Sequence, residues 1–122
     1  RCSIHSFRPG ICRVFPLGRI YEENRLDYFL QVDGCAKENR SKIKVGRWLD
    51  TPELKKNQQY LIDWHAFRKK IKSILGEMSD ENRKKTITMF LLNTFYINPY
   101  DTEQDFYLQF YARLDRIAQV IA

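Results

Sequence analysis

The sequence predicts a small domain built mainly of β-strands and closed by a C-terminal helix. Three observations carry that expectation. The first fifty residues read as a three-stranded meander. Residues 86–97 are dense in β-branched and aromatic side chains. Residues 102–122 repeat apolar side chains at helical spacing. At 122 residues the chain has the length of one domain. A hydrophobic fraction of 43% beside 30% charged residues excludes a disordered tail. No apolar run approaches the roughly 18 residues that a membrane-crossing helix needs. The chain opens on Arg1 without a signal-peptide pattern and reads as an excised domain or a processed product.

The elements follow in order. Arg8-Pro9-Gly10-Ile11 has the form of a type II turn, with proline presetting the second position and glycine the third. Ile11 to Glu22 reads as a first strand, interrupted by Pro16 and by Gly18, where a strand can bend or bulge. Glu23-Asn24-Arg25 is a turn. Leu26, Tyr28, Leu30 and Val32 alternate with polar neighbours, which is a strand period, and Asp33-Gly34 ends it. Lys42 to Leu49 reads as a third strand. Asp50-Thr51-Pro52-Glu53 is a helix start, with a capping side chain, proline in the first turn and then an acid.

How far that helix runs has two answers. Leu61, Trp64, Phe67, Ile71, Ile74, Leu75 and Met78 recur at three- and four-residue spacing, which predicts one long helix to Gly76. Tyr60, Ile62, Trp64 and Ala66 also alternate, which predicts a short helix ending near Asn57 and then a strand over 59–67. Residues 76–85 are polar and read as a loop. Residues 86–97 read as a buried strand. Asn98-Pro99-Tyr100-Asp101 is a turn that caps a helix from Thr102 onward. On that helix Asp105, Gln109, Arg113 and Arg116 form a narrow polar stripe. The apolar arc is wide enough to need more than one covering surface.

The formal charge of +6 is unevenly placed. Residues 1–50 and residues 51–98 are each net +4, whereas residues 99–122 are net −2. A basic chain with two Trp, seven Tyr and eight Phe leans toward nucleic acid. The three cysteines, Cys2, Cys12 and Cys35, form no metal-binding spacing and read as reduced core thiols. Neither a metal nor a cofactor is expected. No phosphate-binding loop, nucleophile elbow or zinc-protease motif is present, and two histidines assemble no catalytic group, so an enzyme is not expected.

Four short stretches fall in a known order: Leu17-Gly18-Arg19-Ile20, Tyr28 to Gly34, Val45-Gly46-Arg47-Trp48-Leu49-Asp50-Thr51, and Ile97 to Glu103 leading into the last helix. In this the chain resembles the OB-fold domain of the replication protein A middle subunit and the related OB subunits of the CST and telomerase-associated complexes. The resemblance spans roughly residues 11–122. It implies an all-β barrel with helices: a five-stranded Greek-key barrel over about 2–97, with a short helix between strands three and four, and a long C-terminal helix over about 101–122. It therefore selects a fourth strand over 59–67.

The resemblance also implies a function. The chain would be a non-catalytic nuclear subunit of a heteromeric single-stranded DNA-binding complex, in replication or at telomeres. Trp48 stands where the family places a base-stacking tryptophan, and Phe67 loosely matches a second. The competing readings are a barrel-closing core residue for Trp48 and a core or partner contact for Phe67. Candidate phosphate contacts are Arg47, Arg68, Lys69, Lys70, Lys72 and Lys44, with Arg40 and Lys42 behind them. Phe106, Phe110, Leu114, Ile117 and Ile121 would join large and small OB-fold partner subunits through the C-terminal helix. The alternative is a scaffold subunit of a telomere or telomerase complex that touches DNA little.

Overall fold

The computed structural model of the chain describes residues 3, 6, 12, 14–15, 17–30, 44–49 and 51–121. The chain divides into two compact units, Arg1–Phe67 and Arg68–Ala122.

The first unit is organised by a hairpin of β1 (Leu17–Glu22) and β2 (Arg25–Leu30), antiparallel, with Leu17 opposite Leu30 and Glu22 opposite Arg25. Asn24 closes the turn in the left-handed conformation, φ 56°, which asparagine tolerates better than most residues. Directly opposed residues share a face. One face therefore carries Leu17, Arg19, Tyr21, Leu26, Tyr28 and Leu30, and the other carries Gly18, Ile20 and Phe29. A methyl group on Gly18 would overlap the Phe29 ring, so the ring lies across the glycine backbone. A short helix α1 (Val45–Leu49) and the start of α2 (Leu54–Glu77) complete the described part.

Within the first unit α2 packs on the Tyr-bearing face of the hairpin. Tyr21 stacks on His65 with centroids 4.1 Å apart and planes 3° from parallel. The Gln58 amide donates to the Tyr28 hydroxyl at 3.0 Å. Val14 and Leu49 are its buried apolar residues among those described.

The second unit takes the end of α2, then α3 (Glu81–Leu92), a π-helical turn (Asn93–Ile97) and α4 (Phe106–Ile121). Asp80 caps α3, its carboxylate accepting from the Asn82 and Arg83 amides at 3.0 and 3.3 Å. The π turn changes the hydrogen-bond register. The Asn98 amide donates to the Asn93 carbonyl at 2.9 Å, one residue beyond the α-helical acceptor. The bypassed Thr94 carbonyl takes Arg113 Nη1 at 2.7 Å instead. Pro99 has no N–H for the Phe95 carbonyl, and the Tyr100 hydroxyl donates there at 3.2 Å. Arg113 also donates to the carbonyls of Asn98 at 2.8 Å and Pro99 at 2.7 Å. Its guanidinium lies 3.8 Å from the Tyr100 ring centroid. The carbonyls left open at this helix end are thus met largely by one arginine. Phe110 and Ile117 are the most buried side chains, and Phe110 packs on Phe95 and Phe106 with centroids 5.9 and 6.1 Å apart.

The five-stranded barrel implied by the resemblance does not form. The structure is 67% helical, with two strands in an open sheet among the described residues. The first strand begins at Leu17, and Cys12 and Val14 before it are helical. The expected third strand is helical over Val45–Leu49, where the Trp48 amide closes a turn on the Lys44 carbonyl at 3.0 Å. The expected short helix and fourth strand are one helix, α2. Its first half is rich in Lys, Gln and Leu, which favour helix, and Gln59 bonds Asp63 across one turn at 3.0 Å. Of the two periods that fit residues 59–67, the helical one holds.

The expected strand over 86–97 is α3 and the π turn. Its covered positions, Lys84, Ile87, Leu91, Thr94 and Phe95, follow a helical period. Thr86 and Thr94 hydroxyls bond the carbonyls four residues back, at 3.0 and 2.8 Å, so these β-branched residues fit a helix. The expected loop 76–85 shrinks to residues 78–80. The turn at 8–11 and the strand end at 31–34 lie outside the described residues. Cys12 is an exposed free thiol, not a core residue.

Candidate nucleic-acid interface

The residues expected to contact nucleic acid fall into two groups, one in each unit. Lys44, Arg47 and Trp48 lie together on or beside α1, and all three are exposed. Residues four apart share a helix face, so Lys44 and Trp48 stand on one side. Trp48 does not close a core. Its indole N–H donates to the Phe15 carbonyl at 3.0 Å while the side chain stays 42% exposed. One ring edge is thus anchored, and much of the ring remains accessible for stacking. Arg40 and Lys42 lie outside the described residues.

Arg68, Lys69, Lys70 and Lys72 stand on the part of α2 that belongs to the second unit, and all four are exposed. At about 100° per residue Arg68, Lys72 and Lys69 share one face, and the buried Ile71 borders it on the Arg68 side. Lys70 stands toward the far side of the helix. None of the four forms an ion pair with another described residue, whereas Lys56 and Lys84 pair with Glu53 and Glu81 at 3.1 Å. Arg83 and Lys85 add exposed charge on α3. Phe67 is half-buried and lies against Trp64, with centroids 5.7 Å apart and planes 22° from parallel. It is placed as a packing residue of α2.

Among the residues expected at a partner interface, Phe110 and Ile117 are buried inside the chain, and Phe106 and Leu114 are half-covered. Ile121 ends α4, and its side chain lies outside the described set. The exposed large apolar side chains of the second unit, among the described residues, are Met89, Phe90 and Leu92 on α3, Tyr96 and Ile97 on the π turn, and Leu108 and Val120 on α4. Arg113, read from sequence as part of a narrow polar stripe, holds the end of the π turn.

Two residues escaped the sequence reading. Phe15 supplies the carbonyl that fixes Trp48, and no local pattern marks it. Arg19 shares a strand face with Leu17 and Tyr21. A cation on the apolar side of an alternating strand is the signal that could have found it. Among the described residues no group of acids, histidines and cysteines is arranged to hold a metal ion. Compared with protein-family models, with curated proteins and with solved structures, the chain matches none.

Proposed function

We propose that the chain is a non-catalytic subunit of a heteromeric complex that binds single-stranded nucleic acid through helical surfaces rather than a barrel groove. The observation that carries this reading is the exposed cationic face of Arg68, Lys69 and Lys72, which no described residue pairs. Such a face neutralises phosphates and releases counterions. Within the first unit the anchored, exposed indole of Trp48 separately supports it, because single strands are gripped by sequence-tolerant stacking on an aromatic ring beside cations, here Lys44 and Arg47.

The test is a titration of the whole chain with a fluorescent oligothymidylate at several salt concentrations. Affinity should fall steeply with salt, with a slope of about 0.7 per neutralised phosphate for a single strand. Replacing Arg68, Lys69 and Lys72 together by Gln should lower that slope by about two. Trp48→Ala should weaken binding by about 1–3 kcal/mol with little change in slope. Binding that ignores salt, or a triple variant with an unchanged slope, refutes the reading.

A scaffold role is favoured by a different observation, the exposed apolar side chains of Met89, Tyr96 and Ile97. Under that reading Tyr96→Glu with Ile97→Glu abolishes subunit assembly, and the triple Gln variant leaves it intact. Phe110 and Ile117 are unsuitable for that test, because they sit in the core of the second unit.

A further inference from the structure

The first unit contains a groove of about 430 Å³ whose walls include Phe15, Leu17, Gly18, Tyr21 and Phe29, with Arg19 as the one charged lining residue among the described residues. The Nε atom of Arg19 is buried and has no hydrogen-bond partner. Arg19 as a residue is half-buried, and buried polar atoms in folded chains are almost always paired. Arg25 on the same hairpin has such a partner, Asp27 at 2.9 Å, so the absence of one at Arg19 is specific to that position. The facing residue on β2 is Tyr28, whose hydroxyl already accepts from Gln58. Among the described residues no carboxylate lines the groove.

We propose that this groove binds an anion that carries an apolar body. The guanidinium edge takes two oxygens of a carboxylate or phosphate in parallel. Phe15, Leu17 and Phe29 cover the apolar part. Phe15 and Phe29 are about half exposed, so their rings can move over a ligand. The anion can be a free aromatic or aliphatic acid, or the phosphate of a nucleotide. The oxygen pair and the adjoining apolar group are common to both. This site does not depend on the cationic face of α2, so the two proposals fail separately.

The test uses the whole chain labelled with nitrogen-15 and follows the Arg19 Nε–H resonance and the Phe15 and Phe29 ring signals. The probes are 4-phenylbutyrate, thymidine 5′-monophosphate and, as a cationic control, 4-phenylbutylamine. At least one anion should shift the Arg19 Nε–H resonance and both rings at millimolar concentration, while the amine should leave them in place. Response to the carboxylate alone assigns the site to a free acid, and response to the nucleotide alone assigns it to a nucleotide phosphate. Arg19→Met should weaken binding at least about tenfold, the loss expected for one charge-assisted pair. Arg19→Lys should recover only part of it. The proposal is overturned if neither anion moves the resonance, if the amine binds as tightly as the carboxylate, or if Arg19→Met binds like the parent. The comparison of anion with amine is made on the unmodified chain and holds whether or not the variants fold.

Discussion

Arg113→Ala should release the end of the π turn. The side chain donates to the carbonyls of Thr94, Asn98 and Pro99 at 2.7, 2.8 and 2.7 Å and lies 3.8 Å from the Tyr100 ring centroid. The bond to Thr94 is partly buried, whereas water can replace the two exposed ones. A charged hydrogen bond of the first kind contributes about 1.5–3 kcal/mol. Stacking of the guanidinium on the ring adds about 0.5–1 kcal/mol. A cation at a helix C-terminus adds a few tenths of a kcal/mol more. Together these predict a local loss of about 3 kcal/mol, or on the order of a hundredfold in the opening equilibrium. The assay is hydrogen exchange at the Asn98 amide, whose bond to the Asn93 carbonyl defines the π register. Its protection should fall about a hundredfold, while the amides in the middle of α2 keep theirs. Arg113→Lys should recover a minor part, because one ammonium cannot span three carbonyls. Unchanged protection at Asn98 in Arg113→Ala would refute the reasoning, as would full recovery by lysine.

Three further outcomes follow from the same geometry. Burial raises the Tyr100 hydroxyl above the usual phenol value, with the nearby Arg113 charge pulling the other way. The fold therefore favours the neutral phenol, a contribution that is complete below about pH 10 and lost as pH rises through the raised value. Urea unfolding across that range should show a shallower decline for Tyr100→Phe than for the parent, and parallel declines would contradict the assignment. Gly18→Ala should destabilise the hairpin by about 1 kcal/mol by displacing the Phe29 ring. The same change in a Phe29→Ala background should cost almost nothing, a double-mutant cycle in which additivity would be the failing result. Asp80→Ala should cost about 1 kcal/mol by uncapping α3, read as faster exchange at the Asn82 and Arg83 amides. Asp80→Asn should keep most of the cap.

The hairpin was legible in the sequence because two local signals agreed there. Strand alternation over 26–30 met a turn residue, Asn24, that accepts a positive φ. The helix start near residues 51–54 was legible for a similar reason. The segments that went wrong were those in which two periods fit the same residues. Tyr60, Ile62, Trp64 and Ala66 alternate, yet Trp64 and Phe67 also pair one turn apart on α2. Between 86 and 97 the β-branched and aromatic content outweighed the spacing of Ile87, Leu91, Thr94 and Phe95, and that spacing governs which side is covered. Short matches to a barrel family then reinforced the strand choice at both places. Of the candidate site, the basic run 68–72 and Trp48 could be read directly, since exposure of a charged cluster needs no tertiary information. The anchoring of Trp48 by Phe15 and the unpaired Arg19 could not, because each depends on backbone atoms brought together by the fold.

The π turn makes the chain sensitive to counting. It holds one residue more per turn than the helix before it, and Arg113 meets a trio of carbonyls, at 94, 98 and 99, that converge because of that surplus. Deleting a single residue between 93 and 97 would restore an ordinary helical ladder and give the bypassed carbonyl a backbone donor. The arginine would then arrive at an acceptor already taken, and everything after the deletion would be turned by about 100° around the axis. An insertion or deletion here, often harmless on a surface loop, would rewrite which aromatic rings meet in the second unit.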